Sequence, residues 1–76
     1  MRPLPTTPSR YISFITSYST SNRTPHKTSW RVVENGEYVS WAATSLDAIL
    51  TLWAADPPAT VYDELHEEFV PLVLGA

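Results

Sequence analysis

The sequence predicts an α+β fold, with a three-stranded antiparallel sheet and two helices packed on one of its faces, in the order β-β-β-α-α. The Asn35-Gly36 dipeptide lies between two strand-like runs and favours a two-residue type I′ turn, in which both central residues take positive φ. Residues 10–18 are rich in β-branched and aromatic side chains, which is typical of a strand. Two later segments repeat apolar residues at helical spacing, and a short C-terminal edge strand is a further expectation.

The chain of 76 residues is short enough for a single small domain, predicted over residues 10–76. Residues 1–9 contain three prolines and are expected to form a flexible, extended arm. There is no cysteine, which excludes disulfides and fits a reducing, cytoplasmic setting. No apolar run approaches the roughly 20 residues that span a bilayer, and no signal peptide is apparent. The composition of the first 31 residues also resembles a transit peptide, but its prolines oppose an amphipathic helix.

The charges are separated along the chain. All five basic residues lie in the first 31 positions, and all eight acidic residues follow them. Such a separation predicts two electrostatically distinct surfaces, although chance in a chain with few charges is an equally good explanation.

The first predicted strand covers residues 10–18 and directs Ile12 and Phe14 into the core, because side chains alternate between the faces of a sheet. Residues 19–28 are polar and are predicted to form a loop. This loop carries Arg23 and Lys27, which are candidates for a nucleic-acid contact if they are more than solvated surface charges.

The Asn35-Gly36 turn predicts the register of the hairpin over residues 29–42. Val33 then faces Tyr38, and Trp30 faces Trp41. One face of the hairpin is expected to carry Trp30, Val32, Val39 and Trp41. The other is expected to carry Arg31, Val33, Tyr38 and Ser40.

The first predicted helix spans residues 44–56, with Thr44 as its N-cap and the prolines after Asp56 as its end. Its apolar stripe, expected to pack on the tryptophan face of the hairpin, consists of Leu46, Ile49, Leu50 and Trp53.

The second predicted helix begins at Thr60 and ends before Pro71, with Val61, Leu65 and Phe69, joined by Tyr62, on its apolar side. The opposite side is acidic and contains no cation; it carries Asp63, Glu64, Glu67 and Glu68. Residues 72–74 are apolar and are expected to form a short packed segment or an edge strand, and the alternative is a contact with a partner.

No motif for catalysis stands out, so the chain is not expected to be an enzyme. No serine or threonine lies in a nucleophile motif, and two glycines are too few for a phosphate-binding loop. Asp63 and His66 have the spacing of two metal ligands on a helix, but without cysteine or further histidines a surface histidine among acids is the better interpretation. No metal and no cofactor are therefore expected.

Part of the chain resembles the arm-binding N-terminal domain of tyrosine integrases, whose sheet face lies in the DNA major groove. The resemblance covers about a third of the chain and rests on Trp30, Asn35-Gly36, Ser45, Ala48 and Trp53. It implies a nucleic-acid-binding module that uses the arm, the basic loop and the outer sheet face. On that face only Arg31 is basic, and the pI of about 5.1 is low for a dedicated DNA-binding domain.

The predicted architecture of residues 10–70 resembles small phage anti-CRISPR proteins, in particular a type I-F inhibitor with a short antiparallel sheet followed by two helices. No sequence motif is shared. The resemblance implies a non-catalytic, stoichiometric inhibitor that occupies a surface of a larger protein or ribonucleoprotein complex in the cytoplasm of a bacterial host. The residues expected to face that partner are Asp63, Glu64, Glu67, Glu68, Arg31 and Tyr38. The alternatives are the nucleic-acid-binding module and, third, a component of a toxin–antitoxin pair.

Overall fold

A computed structural model describes residues 8–18 and 25–74 of the chain. Within these residues it contains five strands and one helix: β1 (Arg10–Tyr18), β2 (Pro25–Glu34), β3 (Glu37–Tyr38), α1 (Leu46–Trp53), β4 (Thr60–Asp63) and β5 (Glu68–Pro71). The strands form one mixed sheet in the order β3-β2-β1-β4-β5. The predicted three-stranded antiparallel sheet with two helices is therefore wrong.

Strands β1 and β2 form the centre of the sheet. They pair antiparallel over their whole length, with Ile12 opposite Val32 and Phe14 opposite Trp30. The predicted bounds of the first strand are confirmed. The loop predicted over residues 19–28 is wrong for its last four positions, because β2 begins at Pro25. The rest of that loop and most of the predicted N-terminal arm lie outside the described residues.

The predicted Asn35-Gly36 turn is confirmed, with φ values of 53° and 84° for the two residues. Val33 pairs with Tyr38 as predicted, but β3 ends there. The Ser40 side-chain oxygen accepts the Val32 amide at 2.9 Å, so a hydroxyl replaces the backbone acceptor of a regular ladder. Beyond this irregularity Trp30 pairs with Ala43 rather than with Trp41. The predicted pairing of the two tryptophans is wrong, and Trp41 is 78% exposed.

Helix α1 confirms the predicted apolar stripe, although its ends differ from the prediction. Ser45, not Thr44, is the N-cap, and its Oγ accepts the Ala48 amide at 3.1 Å. Both residue types cap helices well, so the sequence pattern alone does not choose between neighbours. The helix ends at Trp53, because Ala54 adopts a left-handed conformation and donates its amide to the Leu50 carbonyl at 3.2 Å.

The core lies between α1 and one face of the sheet. The buried residues of the core come from both the sheet and the helix side. They are Ile12, Val32, Ala43, Ile49, Trp53 and Val61. Phe14 and Trp30 pack against this cluster, and their rings are 5.0 Å apart. Arg10 covers one edge of the core at Trp53. Its guanidinium lies 4.0 Å from the Trp53 ring and donates to the Trp53 carbonyl at 2.8 Å.

Residues 60–71 form a strand hairpin, so the predicted second helix is wrong. β4 runs parallel to β1, with Tyr62 beside Ser13, and β5 pairs antiparallel with β4. Alternation buries Val61 in the core and turns Tyr62 to the other face of the sheet. A helix would also have stacked like-charged carboxylates four residues apart on an exposed face. Glu67, with φ of 55°, lies in the turn that joins the two strands.

Residues 72–74 do not form the edge strand that was one of the two expectations for them, because β5 ends at Pro71. Leu72 packs against the core, and its amide donates to the Ala59 carbonyl at 2.9 Å. Val73 and Leu74 are exposed. In the part of the chain that the structure describes, no helix is long and apolar enough to cross a membrane.

Candidate functional site

The sheet has one face packed against α1 and a second face that no described element covers. We call this second face the open face. Strand alternation and pairing place on it Tyr11, Ser13, Arg31, Val33, Tyr38, Tyr62 and Phe69. Ile15, Ser17, Lys27 and Ser29 lie on the same face by the same alternation. The face carries four aromatic residues, Tyr11, Tyr38, Tyr62 and Phe69, which is unusual for a surface that only meets water.

Three aromatic rings form a cluster at one side of the open face. The Tyr11 ring lies 5.8 Å from that of Tyr62 and 5.3 Å from that of Phe69, and the Tyr62 and Phe69 rings are 5.0 Å apart. All three pairs are edge-to-face, the arrangement favoured by the ring quadrupoles. The cluster joins β1, β4 and β5 and forms a continuous aromatic wall across these three strands.

Glu64 connects the central strand to the hairpin at the sheet edge. Its amide donates to the Phe14 carbonyl at 2.9 Å, which continues the parallel ladder and places its side chain above the open face. The Ser13 hydroxyl donates to Glu64 Oε2 at 2.5 Å. The Tyr38 hydroxyl lies 2.7 Å from Oε1 and 2.8 Å from Oε2. Two hydroxyl groups therefore hold one carboxylate in a defined orientation.

Two tyrosines at this site stay neutral over a wide pH range. The hydrogen bond to Glu64 raises the pKa of Tyr38, and partial burial adds to the shift. Burial is the main cause of the raised pKa of Tyr11, followed by the nearby Tyr62 and Glu64. A neutral phenol is a hydrogen-bond donor and also presents an electron-rich ring face.

Between the hairpin and the β4–β5 turn the open face forms a groove of about 360 Å³, which we call the tyrosine groove. Its lining residues come from four strands and two turns and are Tyr11, Val33, Gly36, Tyr38, Tyr62, Glu64 and Glu67. Three phenol rings and two carboxylates thus surround one open volume with an apolar residue, Val33, at its base.

Arg31 and Tyr38, both predicted to contact a partner, are brought together on the open face. The Arg31 guanidinium lies 4.7 Å from the centre of the Tyr38 ring. A cation at this distance from a phenol ring is attracted by the ring quadrupole. Arg31 supports one wall of the groove but is not one of its lining residues.

The four predicted acidic contacts do not form a helix face. Asp63 is engaged within the β4–β5 turn: its Oδ1 accepts the amides of Leu65 and His66 at 3.1 and 3.3 Å. Its Oδ2 lies 2.7 Å from Nδ1 of His66, an interaction that lowers the pKa of Asp63 and raises that of His66. Glu64 is held by Ser13 and Tyr38, as described above.

The other two acids, Glu67 and Glu68, are exposed and form no salt bridge with any described residue. Of these two, only Glu67 lines the tyrosine groove. The acidic surface is therefore smaller than predicted, and its geometry is set by a turn rather than by a helix.

Of the two predicted nucleic-acid contacts, Lys27 and Arg23, the structure describes only Lys27. Lys27 is exposed on β2, and strand alternation puts it on the same face as Arg31. Arg23 lies outside the described residues. No three potential metal ligands come together among residues 8–18 and 25–74.

The prediction from sequence missed Ser13, Tyr11 and Tyr62 as members of the site. The available signal for Tyr11 and Ser13 was their alternation with Ile12 and Phe14, since neighbours of core residues in a strand point to the opposite face. Tyr62 was missed because residues 60–70 were interpreted as a helix.

Comparison with known proteins finds no matching family model, no matching curated protein and no matching solved structure.

Proposed function

We propose that this chain is a non-catalytic binding protein that attaches through its open face to a larger protein or ribonucleoprotein complex and inhibits it stoichiometrically. The observation that carries the proposal is the tyrosine groove on an uncovered aromatic sheet face. Aromatic residues are enriched at the centres of protein interfaces, because they bury a large area at low cost in side-chain entropy.

The chemistry of the groove favours binding over catalysis. Ser13 is 1% exposed, and its hydroxyl is already committed to Glu64, so it is not presented to a substrate. Tyr38 donates to the same carboxylate. Side chains that hold one another in this way form a pre-organised surface, and pre-organisation lowers the entropic cost of association.

The proposal differs from the anti-CRISPR resemblance in the surface it uses. That resemblance rested on a sheet followed by two helices, whereas the described residues contain a single helix. From that resemblance the proposal keeps only the mode of action, which is to occupy a surface on a large complex. The proposed compartment is the cytoplasm, which the absence of cysteine fits.

An affinity pull-down with and without nuclease tests the proposal. We expect the wild type to capture one large complex that survives nuclease treatment, and Tyr38→Ala and Glu67→Arg to lose it. The matched controls are Tyr18→Ala and Asp56→Arg, which change an exposed tyrosine and an exposed acid outside the groove. Equal capture by groove and control variants contradicts the proposal.

Capture of nucleic acid alone, lost on nuclease treatment, would instead favour the alternative function of a nucleic-acid-binding module. Aromatic residues on a sheet can stack with bases, and Arg31 and Lys27 lie on the same face. Against this alternative, Glu64 and Glu67 place negative charge inside the groove, where a phosphate backbone would be repelled.

A further inference from the structure

The charge of the tyrosine groove limits what can fill it. Two of its lining residues, Glu64 and Glu67, carry carboxylates, and all seven lining residues are described and include no cation. A partner that covers the groove removes these carboxylates from water. Burying a carboxylate without an opposite charge is unfavourable, and among the described residues neither Glu64 nor Glu67 forms a salt bridge with Arg31, so a cationic group from the partner would stabilise the complex.

The Glu64 carboxylate is oriented but not saturated. Oε2 accepts from Ser13 and Tyr38, whereas Oε1 has Tyr38 as its one donor among the described residues. A carboxylate has about four acceptor positions, so one side of Glu64 can still accept an incoming N–H group. Glu67 lines the same groove from the β4–β5 turn and adds a second acceptor group.

The walls of the groove select among cations. A planar guanidinium stacks on an aromatic ring and donates two parallel hydrogen bonds to a carboxylate, whereas an ammonium group acts as a strongly hydrated point charge. The protein itself contains a related arrangement: Arg10 donates one hydrogen bond to the Glu34 carboxylate at 3.0 Å, and its guanidinium lies 4.0 Å from the Trp53 ring. Tyrosine rings and carboxylates in the groove offer a partner the same combination.

The groove is large enough to admit a single side chain. At about 360 Å³ it lies at the lower end of the roughly 300–1,000 Å³ range of small-molecule sites. We infer that the tyrosine groove binds the arginine side chain of a basic segment in the protein partner, with the guanidinium between the tyrosine rings and on the carboxylates of Glu64 and Glu67. This inference rests on the proposed function, because it names the partner group that the open face recognises.

The test uses the full chain and three short peptides that differ in one residue: acetyl-Gly-Gly-Xaa-Gly-Gly-amide with arginine, lysine or citrulline at the central position. Citrulline keeps the shape of arginine and removes its charge. Amide chemical shifts are followed by ¹⁵N–¹H NMR at low salt. We expect the arginine peptide to cause saturable shifts at Gly36, Tyr38 and Glu67, the lysine peptide to bind more weakly, and the citrulline peptide to cause no such shifts.

Variants separate the groove from general charge attraction. Glu67→Gln is expected to weaken arginine-peptide binding about threefold or more, as loss of one partly exposed ion pair allows. Asp56→Asn removes an equal charge outside the groove and should leave binding unchanged. Unchanged dispersion of the amide spectrum shows that each variant is folded. Equal binding of the arginine and citrulline peptides, tighter binding of the lysine peptide, shifts confined to other surfaces, or no effect of Glu67→Gln each overturns the inference.

These outcomes are distinct from failure of the proposed function. If the peptides do not select arginine but Tyr38→Ala still loses the captured complex, the open face is the interface and only the arginine assignment is wrong. If the arginine peptide binds the groove but all groove variants capture the complex as well as the wild type, the proposed function fails.

Discussion

Tyr38 and Glu64 are separated by 26 residues in the sequence, and the Tyr38 hydroxyl lies 2.7 Å from one carboxylate oxygen of Glu64 and 2.8 Å from the other. Tyr38 belongs to the strand at one edge of the sheet, and Glu64 begins the turn after β4. Their contact spans β2 and β1 and closes the tyrosine groove over Val33. The geometry of the candidate site therefore depends on this one interaction more than on any local pattern.

The contact between Tyr38 and Glu64 is expected to contribute measurably to stability. Tyr38→Phe and Glu64→Gln should each destabilise the fold, and a double-mutant cycle should give a coupling energy of roughly 0.5–1.5 kcal/mol, the net value of a partly exposed hydrogen bond. Urea unfolding followed by circular dichroism measures it. Tyr18→Phe is the control, since Tyr18 is exposed and outside the groove. Additive effects of the two groove variants would show that the contact is absent in solution.

The tryptophans are expected to differ sharply in their contribution to stability. Trp53 is 8% exposed, and its indole N–H donates to the Asp56 carbonyl at 2.9 Å, whereas Trp41 is 78% exposed. Trp53→Ala should cost about 3–5 kcal/mol and leave the domain largely unfolded, while Trp41→Ala should change stability by less than about 0.5 kcal/mol. Thermal unfolding of both variants distinguishes this arrangement from the predicted Trp30–Trp41 pair, in which the two substitutions would be similarly damaging.

The N-cap of α1 can be located by two neighbouring substitutions. Ser45→Ala removes the oxygen that accepts the Ala48 amide and should cost about 1 kcal/mol. Thr44→Ala alters an exposed side chain with no capping contact among the described residues and should be close to neutral. The free energy of unfolding from urea titration is the measurement. The reverse order of the two effects would place the cap at Thr44, as the sequence pattern predicted.

The hairpin turn is expected to depend on the backbone freedom of Gly36 rather than on space around it. Its φ is +84°, and an added Cβ would have no other atom within 4 Å. Gly36→Ala should therefore destabilise the fold by about 1–2 kcal/mol, because alanine adopts this conformation unfavourably. Gly36→Asn should cost less, since asparagine tolerates positive φ. Equal losses for both variants in thermal unfolding would indicate a steric cause instead.

The Asp63–His66 pair is expected to make the β4–β5 turn sensitive to pH. The hydrogen bond to Asp63, followed by its charge, raises the pKa of His66, and the same bond is the main cause of the lowered pKa of Asp63. The His66 contribution is fully present below the unfolded-state pKa of about 6.5 and is lost as pH rises through the raised folded-state value. The Asp63 contribution is present above about pH 3.9 and is lost as pH falls through the lowered value.

NMR titration of the His66 ring measures the first of these shifts. We expect a midpoint above the usual value in the wild type and a return toward it in Asp63→Asn. Glu68→Gln is the matched control and should move the midpoint less, because the charge of Glu68 is a smaller cause than the contact with Asp63. A wild-type midpoint at or below about 6.5 would contradict the contact.

Features that depend on neighbouring residues were predictable from the sequence. The β-branched and aromatic side chains of residues 10–18 predicted β1, and the Asn35-Gly36 dipeptide predicted the turn with its first pairs. The apolar stripe of α1, including Ile49 and Trp53, followed from helical spacing. In each case the residues that decide the structure lie within one turn or a few residues of one another, where spacing and backbone preference act directly.

Residues 60–71 were not predictable in this way, because two periodicities fit them. Val61, Leu65 and Phe69 match helical spacing, while a strand over residues 60–63 directs Val61 and Tyr62 to opposite faces. The strand is favoured over the helix by the parallel pairing of Tyr62 with Ser13 and by the burial of Val61 in the core under α1. Backbone hydrogen bonds to a distant strand cannot be inferred from the segment that receives them.

By itself, the sequence determined the first strand, the tight turn, the helix stripe and the outward direction of Tyr11, Ser13 and Tyr38. Only the tertiary structure decided which outward side chains meet, because the strand order β3-β2-β1-β4-β5 sets distances across the sheet. Ser13 and Glu64, separated by 51 residues, make a hydrogen bond solely because β4 lies parallel to β1. The physical reason is that periodicity specifies the face on which a residue lies, whereas a contact requires the pairing of strands that are remote in the chain.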